Sequence, residues 1–199
     1  MSRKMLIISL LFMAAAAVAA PRVFAAYKVA GAELLGGGVS FDDAYPGIIG
    51  LPLTQEEVDL FIGAIGPIEE WVGLNSAAWN AVGSSGDFLK DLKILPVWET
   101  LGLGGAEFMT VLVKINTARD ISSGTLSAAK MKEQLERYRA HLNDNGLFIG
   151  DLAVIKQQIT NLEKVVEALE KYPTENIRIY EANKATIVAG VDRFNRIGK

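Results

Sequence analysis

The chain of 199 residues has no cysteine and a single histidine, His141. Without a thiol there is no disulfide, no thiolate zinc or iron–sulfur centre, no cysteine nucleophile and no lipidated cysteine. One imidazole excludes a histidine-rich metal site. Charge of one sign is also scarce: 20 Lys and Arg stand against 23 Asp and Glu, for a net charge of −3. That balance does not suit nucleic acid as the main partner, because phosphate contacts need clustered cations. No alternating apolar and polar run is long enough for a sheet, no segment repeats, and no linker is long enough to split the chain beyond residue 25 into two domains. What remains is apolar. Half the residues are hydrophobic and 22% are charged, enough to bury the core of one domain and too little charge for a disordered acidic tail.

The first residues read as an address. Arg3 and Lys4 precede Met5 to Ala20, a run of sixteen apolar or small residues in which Ser9 is the one polar side chain. The run falls short of the roughly 20 residues that span a bilayer but fits the apolar region of a secretory signal. Cleavage after Ala20 would put Pro21 on the scissile bond. Val23-Phe24-Ala25, cut before Ala26, is the better site. The alternative, an uncleaved anchor, would carry Arg22 inside the span at a cost. Cleavage removes Arg3, Lys4 and Arg22 and no acid, taking the net charge from −3 to −6. The expectation is a signal peptide over 1–25 and a periplasmic or secreted product with no stable membrane span. A cysteine-free product suits a bacterial periplasm better than a eukaryotic secretory route.

Residues 26–52 are rich in glycine, with Gly36-Gly37-Gly38 and the turn-like Asp42-Asp43-Ala44-Tyr45-Pro46-Gly47. They read as an extended N-terminal arm. Asp42 and Asp43 are turn formers rather than calcium ligands.

From 53 to 199 the signals are helical. Thr54-Gln55-Glu56-Glu57 is a capping box, followed by Val58, Phe61, Ile62 and Ile65 on one face. Gly66-Pro67 predicts a hinge and a second short helix to Val72. Short helices are expected over Ser76 to Val82 and Asp87 to Leu95. Ala106 to Ala118 is apolar on nearly every side, with Glu107 and Lys114 its only charges, and predicts a central helix wrapped by its neighbours. Ala128, Met131, Leu135, Tyr138 and Leu142 are spaced 3, 4, 3, 4; Leu152, Ile155, Ile159, Leu162, Val166 and Leu169 continue in the same manner. These are heptad-like seams of an antiparallel hairpin joined by 143–150. Thr174 and Glu175 open a final helix carrying Ile177, Tyr180, Ile187, Val191 and Phe194, its stripe diluted by Asn183 and Gly190. The expected fold is an all-α irregular multi-helix bundle with a C-terminal hairpin plus final helix, preceded by the Gly-rich arm.

Catalytic motifs are missing. His141 to Gly146 echoes a calcium loop, but Leu152 stands where the bidentate acid belongs, and Asn145-Gly146 reads as a helix stop. His141 has no serine on a strained elbow to activate, Gly102-Leu103-Gly104-Gly105 lacks the phosphate-loop lysine, and Glu56/Glu57 and Glu69/Glu70 suit helix N-termini. The sequence implies no metal and no cofactor. Trp71, Trp79 and Trp98 fall within 28 residues and are the candidate ligand-binding residues, although core packing is the plainer role for such side chains. The charges between Lys156 and Lys171 fit a solvated helix face or a docking arm. The expected function is that of an exported, non-enzymatic helical adaptor or chaperone-like protein binding an envelope partner. The alternative is a carrier of a small apolar ligand in a Trp-lined pocket.

Overall fold

A computed structural model describes residues 29–36, 41–82, 91, 94–142 and 149–197. Within these the chain is all-α, with no strand among the described residues. The helices are α1 (Ala32–Gly36), α2 (Phe41–Ile49), α3 (Gln55–Leu74), α4 (Ser76–Asn80), α5 (Val97–Leu101), α6 (Gly105–Ser122), α7 (Ala128–Leu142), α8 (Ile149–Glu170) and α9 (Thr174–Phe194). The signal segment 1–25, most of the expected 87–95 helix and the hairpin loop at Asn145-Gly146 lie outside the described residues.

The near absence of a polar face on α6 has its structural counterpart: the helix is central and meets α1, α2, α3 and α9. Phe108, Val111, Ile115 and Ala118 are fully buried. Phe108 anchors an aromatic cluster, with ring centroids 5.6 Å from Phe61, 5.0 Å from Trp98 and 5.4 Å from Phe194. Each such side chain contributes roughly 1.5–3 kcal/mol by leaving water. Trp98 is delivered by the short helix α5, which ends at Gly102; the left-handed φ of +61° there lets the Leu103 N–H reach back to the Trp98 carbonyl.

Helix α3 begins with the expected capping box: Thr54 accepts from the Glu57 N–H, and the Glu57 carboxylate accepts from the Thr54 N–H. The hinge expected at Gly66-Pro67 is absent, and α3 runs through Pro67 without a break. A proline inside a helix costs about 3 kcal/mol. Val58, Phe61, Ala64 and Ile65 before it and Ile68 and Val72 after it are all buried on one face, and at roughly 1.5–3 kcal/mol for each large side chain their burial outweighs that cost.

The expected extended arm over 26–52 is corrected where it is described: Ala32–Gly36 and Phe41–Ile49 are helical. Pro46-Gly47 reads as a turn, yet it sits inside α2, because pairs four residues apart give this helix two apolar faces. Ala44 and Ile48 enter the main core. Ile49 joins a second cluster with Val165 and Leu169 of α8, and Tyr45 packs against both clusters.

The C-terminal hairpin forms as the seams predict. Lys132 pairs with Glu170 at 2.5 Å and Arg139 with Glu163 at 2.8 Å, so later residues of α7 meet earlier residues of α8 and the arms are antiparallel. Leu135, Ile155 and Ile159 are buried between them. The hairpin rests on α2, whereas α9 packs on α3 and α6 rather than closing a three-helix unit with the hairpin. Gly190 makes this packing possible. A Cβ at this position would lie 2.8 Å from Ile62 Cδ1, 3.0 Å from Ile65 Cδ1 and 3.2 Å from Phe61 Cε1, so the residue that interrupts the stripe in sequence marks the crossing of α9 on α3. Asn183, the other interruption, exchanges amide hydrogen bonds with Gln55.

Candidate functional site

The three tryptophans are placed as follows. Trp98 is 4% exposed and lies against Phe108. Trp79 is half-buried, meets Phe194 edge-on at 6.2 Å and donates its indole N–H to the Ile197 carbonyl at 3.1 Å. Trp71 is half-buried against the same core. Phe108 and Phe194 thus link Trp98 to Trp79 through a chain of rings.

A groove lies elsewhere, where α7, α8 and α2 meet, with a volume of about 250 Å³. None of the tryptophans lines it. Its apolar lining is Leu126, Met131, Leu162 and Val165, and two phenol rings, Tyr45 and Tyr138, complete that surface. Three carboxamides, Gln134, Gln158 and Asn161, supply its polar groups. No side chain of the lining is ionised at neutral pH. The helical period explains how the residues come together. Met131, Gln134 and Tyr138 share one face of α7, and Gln158, Asn161, Leu162 and Val165 share one face of α8. The ion pairs Lys132–Glu170 and Arg139–Glu163 use other positions of the same helices.

The carboxamides differ in how far they are used. Asn161 accepts a hydrogen bond from Gln157 at 3.2 Å, and Gln157 also reaches Asp43 of α2 at 3.5 Å. The Gln134 and Gln158 side chains are exposed, and their amides make no hydrogen bond among the described residues. Tyr45 is held in place from below: burial pushes its phenol up, against the lowering effect of a hydrogen bond with Thr117, and the nearby Asp120 carboxylate raises it further. Behind Tyr45, against Ile49, Val165 and Leu169, sits Tyr172. Burial pushes the Tyr172 phenol up to about 12, with the Asn176 side chain opposing that rise. Asn176 itself is committed to the backbone: its Oδ1 accepts from the Leu53 N–H at 2.8 Å, and its Nδ2 donates to the Leu51 carbonyl at 2.9 Å.

His141 is exposed in the last turn of α7. Among the described residues no group of three or more His, Cys, Asp or Glu is placed to hold a metal ion, and no helix is long and apolar enough to cross a membrane. Among the described residues the buried acid is Glu57, bound to Lys114 at 2.6 Å with both side chains 1% exposed.

Sequence reasoning placed Met131, Tyr138 and Leu162 on the hairpin seam but missed Tyr45, Leu126, Gln134, Gln158, Asn161 and Val165. The two glutamines look like any solvated helix position, and Tyr45 is hidden by its turn-like surroundings. No protein-family model, curated protein or solved structure matches the chain.

Proposed function

We propose that this chain is an exported, non-enzymatic interaction protein that holds part of a partner protein in the groove between the α7/α8 hairpin and α2. One observation carries the reading: a concave, uncharged lining that combines apolar side chains with the carboxamides of Gln134 and Gln158, which no described residue engages. Such a lining suits recognition, with apolar area giving affinity and a few polar groups fixing orientation. Export is supported by Arg3, Lys4, the apolar run from Met5 to Ala20 and the small residue before Ala26. The same geometry supports a protein partner over an apolar ligand held by tryptophans, because Phe108 and Phe194 already pack against Trp98 and Trp79.

The test is photo-cross-linking in the cell envelope of the host. A benzophenone amino acid is placed at Gln134 in the groove and, in a second variant, at Lys156, an exposed α8 residue on the opposite side. A discrete adduct to a protein from Gln134 but not from Lys156, on a chain that begins at Ala26, is the expected result. The same adduct pattern from both positions, or none from Gln134, would overturn the groove as the binding face.

A further inference from the structure

We infer that the groove takes a short, uncharged, extended stretch of polypeptide: one apolar side chain together with the peptide groups that flank it. This rests on the groove being the binding face. Size, charge and hydrogen bonding each narrow the occupant.

The volume of about 250 Å³ exceeds the roughly 150 Å³ that admits benzene. It lies below the roughly 300–1,000 Å³ typical of pockets for drug-sized ligands. A side chain the size of leucine or phenylalanine fits in it, with its backbone running along the open side. Along each arm the lining spans seven residue steps, from Met131 to Tyr138 and from Gln158 to Val165. At about 1.5 Å per residue that is about 10 Å, the length of three residues of extended chain at about 3.3 Å each.

Charge excludes ionised occupants at this position. The lining carries no charged side chain, and the neighbouring cations Lys132 and Arg139 are already paired with Glu170 and Glu163. An ion in the groove would find no side chain of opposite charge in the lining to offset the hydration it gave up.

The hydrogen-bonding groups match a peptide. A primary carboxamide offers an acceptor and two donors side by side, the complement of one peptide N–H and C=O. Gln134 and Gln158 bring whole amides with no partner among the described residues, and Asn161 has its Oδ1 taken by Gln157 and brings its NH₂. A purely hydrocarbon ligand would cover these amides without bonding them, at the cost of stripping their water.

The experiment is an NMR titration of the isotope-labelled chain, purified from the cell envelope, with acetyl-Ala-Leu-Ala-amide as probe. The comparison set holds versions with Asp or Lys in place of Leu, one N-methylated at the leucine nitrogen, and decanol as an apolar single chain. The neutral peptide is expected to shift the side-chain amides of Gln134, Gln158 and Asn161. N-methylation, or Gln158→Ala with an unchanged melting temperature, should each weaken binding roughly tenfold, the loss of one well-made hydrogen bond. Equal affinity for the charged or N-methylated peptides, or binding of decanol in preference to all of them, overturns the inference. If no peptide binds while the Gln134 cross-link to a protein still forms, this inference fails and the binding face stands. If neither is seen, both fail.

Discussion

The Lys114 ammonium donates to Glu57 Oε1 at 2.6 Å inside the protein, while Oε2 of the same carboxylate accepts the Thr54 N–H. One buried acid therefore closes the N-terminal cap of α3 and receives the charge that α6 brings into the core. Neither end has water to fall back on, so the two residues stand or fall together.

Lys114→Met leaves the Glu57 carboxylate buried without its cation, and we expect a loss of about 3–5 kcal/mol in denaturant unfolding. Adding Glu57→Gln, which keeps an acceptor for the cap, should recover at least half of that loss. A single substitution costing under about 1 kcal/mol would show that the pair is not desolvated in solution.

Glycine to alanine in a helix interior ordinarily stabilises by about 1 kcal/mol. At Gly190 the sign should reverse. The new methyl meets Ile62, Ile65 and Phe61 at the crossing of α9 on α3, and overpacking of this sort costs about 1–3 kcal/mol. Ile62→Val, which removes the nearest methyl, should rescue Gly190→Ala in a double-mutant cycle; strict additivity of the two would refute the contact.

Tyr172 titrates above an ordinary tyrosine, at about 12 against 10.0, because burial disfavours its phenolate. Its hydroxyl is buried beside the Asn176 side chain but makes no well-formed hydrogen bond, because that amide is taken by the Leu53 N–H and the Leu51 carbonyl. A pKa raised in the folded state gives stability that is whole below pH 10 and declines as pH climbs from there through 12. Tyr172→Phe should remove much of this alkaline decline and, at neutral pH, cost nothing or stabilise by up to about 1 kcal/mol, since an unpaired buried hydroxyl goes with it. Spectrophotometric titration and melts at pH 8 and 11 decide it: an unaltered alkaline slope in the variant is the contrary result.

Glu69 is held below the usual carboxylate range by its hydrogen bond to Arg193. The pair links α3 to α9 at the surface. A depressed acid adds stability above its unfolded value of about 4.5 and gives it up as pH falls through the folded one. Carboxyl NMR should find Glu69 titrating below that value, with Arg193→Met moving it upward. No movement in the variant would mean that another group sets it.

Much of the architecture was legible because burial leaves periodic marks. α6 shows no polar face and is the central helix; the 3, 4 spacings of α7 and α8 form the hairpin; Thr54 and Glu57 mark where α3 starts. Local signals misled where tertiary burial outweighed them, at Pro46 inside α2 and at Pro67 inside α3. Lys114 gave no hint of its partner, which lies 57 residues away. The groove was illegible for a similar reason. It exists because α2 sets Tyr45 beside the hairpin, and Gln134 and Gln158 in isolation resemble any wet helical residue.

The ion pairs of the hairpin, Lys132 with Glu170 and Arg139 with Glu163, advance by seven residues along both arms. A repeat of that period can be extended without altering what already exists, because a further heptad in each arm restores the same faces. Seven residues added to α7 and seven to α8 at the far end would carry the tip about 10 Å further out. The groove and its bracket on α2 would stay as they are. The reach of the arm is thus a quantity that evolution or an engineer can set independently of the body that carries it.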